Sequence, residues 1–276
     1  MEVIDPAMTV KITGFFINFL NTYISSYEYL NYGGLKLYIL CMNKFSFFYK
    51  SIKIKKSSLF KLNSFHTLVK AKKRIGPHNK DVISVIIGSL LGNAYGNKIF
   101  VEGTRIYFRQ NIVHREYLFS LYQFFYKRGY CSNLEPMIYT RSLKIKDIEN
   151  KYYGYEFNTY TFRSLDWIYK MFYKYGKKRI HSNLGNFITP LALAVWISNV
   201  GCWVKSGVEI SCNAFTLKEI KLLIKILSKN FGLICNVQNI GIFNKYSIYI
   251  QSKSIPKLRE IVSPFIQNSM LYKLGL

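Results

Sequence analysis

Acid is scarce in this chain. Aspartate and glutamate together number 14 against 39 lysines and arginines in 276 residues, a formal net charge of +25. A field of that size exceeds what solubility requires and favours polyanions, nucleic acid ahead of an anionic membrane surface. Long apolar runs are missing as well. No stretch reaches the 18 or so residues that a spanning helix needs, and Ile12 to Ile24 is too short and too polar. The five cysteines stand far apart with no CxxC pair, and the four histidines do not gather beside them. This argues against a zinc site or a disulfide framework and for buried free thiols in a reducing compartment. The amino terminus lacks the basic start and small-residue cleavage site of a secretory signal. Glu2 and Asp5 come early and the first arginine is Arg74, which is not the pattern of a transit peptide. Proline, alanine and arginine are sparse, while Ile, Lys, Asn, Tyr and Phe abound. These are residues of A/T-rich codons, and they point to a gene in an organelle, the mitochondrion being the expected location.

Three regions stand out: a basic, aromatic extension over 1–80, then 81–188 and 189–276. Within the first, Asn43 to Lys80 holds eleven lysines or arginines and no acid, with Phe and Tyr between the cations. A solvated tail is one reading. An arm that tracks phosphates and stacks aromatics on bases is the other, favoured because acids are wholly absent. On that reading Lys53, Lys55, Lys56, Lys72, Lys73 and Arg74 contact phosphate, and Phe48, Tyr49 or Phe60 stack.

From Asp81 onward periodicity takes over. A helix is expected over about Val82 to Leu91, then a β-rich run from Lys98 to Gln110 bent at Gly103. His114 to Gly129 has helical spacing and a Lys-Arg-Gly stop. Strands follow near Met137 to Ile145 and Tyr153 to Arg163, and a helix over Leu165 to Tyr175. From Thr189-Pro190 the order repeats: a helix (Leu191 to Asn199), a strand (Trp203 to Cys212) and a helix opened by the capping box Thr216 and Glu219. Strands near Leu233 to Gln238 and Tyr246 to Gln251 and a helix near Lys257 to Phe265 complete it. The same element order twice, about a hundred residues apart, reads as an internal duplication.

"IIGSLLGNAYGN" and "TPLALAVWISNVGCW" resemble the two signature helices of the LAGLIDADG homing endonucleases, of the single-chain, omega-intron type. The carboxy-terminal stretch from "FTLKEIKLLIKILSKNFG" to "LYKL" is similar to the closing part of that type, so the likeness runs from Asp81 to Leu276. The resemblance implies an α+β fold of two pseudo-symmetric αββαββα halves that form a saddle over nucleic acid, in a monomer with an internal pseudo-twofold. The residues agree. Gly88 and Gly92 are four apart and share a helix face, and Ala192, Ala194 and Ser198 make the second helix equally slim. Lys98, Arg105, Arg109, Arg141, Arg163, Lys205 and Lys245 are then the candidate phosphate contacts.

In the family an acid at the foot of each signature helix holds a divalent metal. The matching positions here are Asn93 and Val200, with Asn199 before the latter. A hard cation wants charged oxygen, and Asp81 lies about three turns from Asn93, roughly 18 Å along the helix. The expectation is therefore a degenerate endonuclease that is not an enzyme and needs no metal or cofactor. It binds RNA, first as a structural component of an organellar ribosome beside rRNA and other ribosomal proteins. The alternative is a maturase-type cofactor of a group I intron. An active homing endonuclease with displaced ligands and a DNA-binding repressor rank below these.

Overall fold

The computed structural model describes residues 70–74, 76–145, 148–241 and 245–276. Two halves repeat one topology. In the first, α1 (Lys80–Leu91) is followed by β1 (Tyr95–Ile99), β2 (Gly103–Asn111), α2 (Arg115–Lys127), β3 (Met137–Ile145), β4 (Ile148–Asn158) and α3 (Asp166–Phe172). A two-stranded hairpin, β5 (Tyr173–Lys174) with β6 (Lys177–Lys178), leads to the second half. There α4 (Pro190–Val200) precedes β7 (Gly201–Val204), β8 (Gly207–Ser211), α5 (Leu217–Phe231), β9 (Cys235–Asn239), β10 (Tyr246–Ile250) and α6 (Ile255–Val262). The sheets have matching antiparallel orders, β1-β2-β4-β3 and β7-β8-β10-β9.

The β-rich run from Lys98 to Gln110, expected to bend at Gly103, and the single strand expected over Trp203 to Cys212 are both parts of hairpins. Tyr95 pairs with Tyr107 and Ile99 with Gly103, while Gly201 pairs with Ile210. The strand expected over Tyr153 to Arg163 starts and ends earlier, at Ile148–Asn158. The helix expected through Tyr175 stops at Phe172. The capping box is present as read: Thr216 accepts from the Glu219 amide while the Glu219 carboxylate accepts from Thr216 N–H.

One continuous core spans both halves. Its spine is the pairing of α1 with α4, whose residues Val82, Ile86, Ile87 and Leu90 and Ala192, Leu193, Trp196 and Ile197 are fully or nearly fully buried. Small side chains let the two backbones meet. A Cβ at Gly88 would fall on the Ala192 carbonyl oxygen, and one at Gly92 would come within 2.5 Å of the Asn199 Cβ. Thr189 caps α4 through the Ala192 amide and donates to Ser84 of α1 at 2.9 Å. Each sheet buries one face. In β2, burial alternates with Ile106, Phe108 and Gln110 inward and Arg105, Tyr107 and Arg109 outward. No helix among the described residues is long and apolar enough to cross a membrane.

Candidate nucleic-acid interface

The feet of α1 and α4 meet in a polar network. Gln110, itself buried, donates from Nε2 to Asn199 Oδ1 at 2.6 Å. Asn199 Nδ2 donates to the Val195 carbonyl at 2.7 Å and to the Tyr117 hydroxyl at 3.0 Å. Exposed Asn93 reaches the cluster with longer contacts, 3.4 Å each to Gln110 Oε1 and the Asn199 carbonyl. Burial holds the Tyr117 phenol well above its ordinary range, so it stays a neutral donor. Asn199, not Val200, thus carries the polar role at the second foot. A buried amide with both ends satisfied is tolerable where an unpaired one costs roughly 1–3 kcal/mol.

Two lysines that sequence reading missed complete the feet. Lys178, on β6, donates to the carbonyls of Gly92 and Ala94 at 3.1 Å each. Lys273, near the carboxy terminus, donates to the Ser198 carbonyl at 2.7 Å. Each caps the carbonyl end of a signature helix, where the helix dipole favours a cation. Burial lowers both ammonium groups from their usual range to about 8. No local motif announces them. Their partners are 86 and 75 residues away in sequence.

The donor set decides how well a metal is served. Asn93, Asn199 and Gln110 offer neutral carboxamides, and the Asn199 Oδ1 already accepts from Gln110. Asp81 sits at the far end of α1, paired with Arg128 at 2.8 Å. Register adds one acid that sequence reading overlooked: Glu209, on the open face of the second sheet, opposite Cys202, which lies two residues beyond Val200. The residues at the two feet do not supply the pair of carboxylates that the resemblance implies for divalent ions. Among the described residues no three His, Cys, Asp or Glu gather as a metal site.

The predicted cations fall into distinct places. Arg105, Arg109 and Arg141 lie on the open face of the first sheet, Arg109 ion-paired with Glu156. Lys98 lies on the covered face instead, opposite buried Thr104 and 3.3 Å from Asp166, and leaves the candidate set. Arg163 is exposed in a turn before α3, and Lys205 is exposed at the β7–β8 turn with φ of 55°. Lys245 donates to the Asn213 carbonyl. Arg74 lies over the Tyr160 ring, 4.9 Å from its centroid, and Lys72 and Lys73 occupy a short turn beside it. Lys53, Lys55, Lys56, Phe48, Tyr49 and Phe60 lie outside the described residues. Gly88, Gly92 and Ala192 form the helix contact as expected, and Ala194 is buried nearby in α4.

The comparisons bear directly on these readings. The profile of the LAGLIDADG DNA endonuclease family matches residues 83–258. "Intron-encoded endonuclease ai4" of Dictyostelium discoideum is 44% identical over 157 residues, 56% of this chain and 99% of its own length. "Cytochrome b mRNA maturase bI2" of Saccharomyces cerevisiae is 36% identical over 209 residues, 73% of this chain and 49% of the maturase, so the chain spans about half of that relative. Among solved structures, the homing endonuclease I-WcaI bound to its DNA recognition sequence superposes with a TM-score of 0.63 at 24% identity, covering 82% of this chain and 96% of that one. The last supports the fold. The first two correct the expectation that the chain is not an enzyme. The matching family is one of endonucleases, and a relative covered along nearly its whole length carries that name. Lost acids at two positions therefore do not establish lost catalysis. The chain belongs to the LAGLIDADG DNA endonuclease family.

Proposed function

We propose that the protein is an intron-encoded maturase-type factor that binds the folded RNA of a group I intron in mitochondria. The observation that carries this reading is the match of 73% of the chain to a protein named as an mRNA maturase. A net charge of +25 suits the deep phosphate surface of a folded RNA. It displaces the ribosomal role expected from sequence, because the relatives are maturases and endonucleases. Arg105, Arg109 and Arg141 supply phosphate contacts on the first sheet, with Lys205 at a hairpin tip of the second. The buried lysines at the helix feet hold positive charge along the junction of the halves. A second reading, a DNA endonuclease acting on the allele that lacks its intron, is favoured by the 44% identical relative. It has its own test in specific cleavage of that DNA.

The maturase reading is tested by splicing of the precursor RNA that carries the chain's own coding intron, with and without purified protein. The expected result is faster splicing at limiting Mg²⁺ and protection of the intron core. Unchanged splicing and no protection would overturn it.

Salt dependence tests the extension. Each phosphate neutralised contributes about −0.7 to −0.9 to the slope of log affinity against log salt. Replacing Lys53, Lys55 and Lys56 by Gln in the full chain is expected to flatten the slope by about 2 and to weaken binding to all RNAs alike. An unaltered slope would make the extension a solvated tail.

A further inference from the structure

The second half carries its positive charge on an unexpected side. Residues 189–276 hold ten lysines and arginines against three acids. Strands β7 to β10 carry none of the ten. Four of them stand on α5 instead, Lys218, Lys221, Lys225 and Lys229, and all four are exposed.

Spacing gathers these four on one side of the helix. At 3.6 residues per turn they fall within an arc of about 80° and run about 16 Å along the axis. Ile220, Leu223, Leu227 and Phe231 take the opposite side and are buried in the core. The helix packs on β9 and β10, so the lysine row faces away from the open face of their sheet. Among the described residues none of the four lysines has an ion pair or a side-chain hydrogen bond. The helix holds one acid, Glu219, which accepts from the amides of Thr216 and Ile180. The row ends beside a fifth cation: a Cβ at Gly232, the residue that terminates α5, would lie 2.6 Å from Lys257 Nζ.

Such a row works against the helix that carries it. Lys221 with Lys225 and Lys225 with Lys229 are like charges at i, i+4, which destabilise a helix where a glutamate would have stabilised it. Solubility does not call for the row either. The equivalent helix of the first half, α2, presents Glu116, Gln123 and Lys127 outward, a mixture of signs. A line of ammonium groups one turn apart is matched by a line of anions, not by a single phosphate. Lysine meets phosphate as a point charge and reads no base. No aromatic ring stands within the arc, so the row offers no platform for an unpaired base. These features fit the backbone of paired RNA, which proteins meet through phosphates and shape.

We infer that the outer face of α5 is a docking surface for the phosphate backbone of paired RNA, contacted by Lys218, Lys221, Lys225 and Lys229 and separate from both sheet faces. The inference rests on the proposal that the chain binds intron RNA, and it gives a stem of that RNA a contact on the helical side of the second half.

The test is a salt titration of the full chain by fluorescence anisotropy, with a folded transcript of the chain's own coding intron. Lys221→Gln, Lys225→Gln and Lys229→Gln combined are expected to flatten the slope of log affinity against log salt by about 2 to 3, and to weaken binding roughly tenfold or more at about 0.1 M salt. Glutamine is close to lysine in helix propensity, and the three lysines have no internal partner to lose, so the variant's melting temperature should not fall. Arginine at the same three positions should keep both affinity and slope. Lys127→Gln, Lys170→Gln and Lys174→Gln combined remove the same charge from exposed sites of the first half, and the slope is expected to change by less than about 1. An unaltered slope with the α5 variant, or an equal loss with the first-half variant, would overturn the inference while leaving RNA binding intact. Unchanged RNA affinity together with lost binding to polyglutamate would assign the row to an acidic protein and overturn it as well. A wild-type chain that does not bind the transcript would defeat the intron-RNA proposal and this site with it.

Discussion

Gly88→Ala lowers the melting temperature, although helix propensity alone predicts a rise. Replacing an interior helical glycine by alanine ordinarily stabilises by about 1 kcal/mol. Here the added Cβ lands on the Ala192 carbonyl oxygen and 2.9 Å from the Val195 Cβ. Neither obstacle is the end of a flexible side chain, so α1 and α4 must separate along their whole contact. Overpacking of this kind costs roughly 1–3 kcal/mol, and Gly88→Leu costs more because the branch extends into the same seam. With about 2–4 °C per kcal/mol for a domain of this size, the leucine variant is expected to melt roughly 10 °C or more below wild type. Asn93→Ala should shift it little, because that side chain is exposed and its two hydrogen bonds are long. Asn199→Ala should fall between, since it removes the acceptor of Gln110 Nε2 and a donor to the Tyr117 hydroxyl in a buried site. Differential scanning calorimetry of the four variants decides the order. A stabilised Gly88→Ala would show that the helices do not meet backbone to backbone.

That prediction came from residues legible in sequence. The glycine spacing in "IIGSLLGN" and the small residues of "LALAVWIS" marked a close helix pair before any coordinates. Helix caps were legible too, because Thr216 and Glu219 act over three residues. The hairpins were not. The β1–β2 turn places Val101 at φ of 66° and the β7–β8 turn places Lys205 at 55°, in the left-handed region where Gly or Asn is the usual signal. A β-branched residue and a lysine there gave no hint of a turn, so the first hairpin was read as one β-rich run bent at Gly103 and the second as one strand. The β5–β6 hairpin was hidden the same way, with Tyr175 at 51° reading as the last residue of a helix. Charge counting placed Lys98 among the phosphate contacts because sequence does not show which face a strand residue takes once the register is unknown. One residue of register sends it to the covered side, against Asp166.

Lys178 provides the sharpest test of the helix feet, because the sign of its pH dependence, shared with Lys273, is opposite to that of the buried thiols. Its ammonium group loses hydration in the folded chain, and its affinity for protons drops from the usual lysine range to about 8. Between pH 8 and roughly 10.5 the unfolded chain therefore binds more protons at this residue than the folded one. Stability gains about 1.4 kcal/mol per pH unit across that window from Lys178. Below pH 8 both states are protonated and the burden is constant. The buried thiols of Cys131, Cys212 and Cys235 act the other way. Burial raises each to about 12, so the unfolded chain sheds those protons first and stability falls above pH 9. Their effects overlap in wild type but cancel in a comparison with Lys178→Met. Methionine keeps most of the stem's packing and loses the hydrogen bonds to Gly92 and Ala94, a loss that does not vary with pH. The variant's unfolding free energy minus that of wild type should therefore decline steadily as pH rises from 8 to 10, measured by urea titration at closely spaced pH values. A difference that stays flat would mean that Lys178 keeps its full charge in the folded chain, stabilised by the dipole of α1 more than it is penalised by burial.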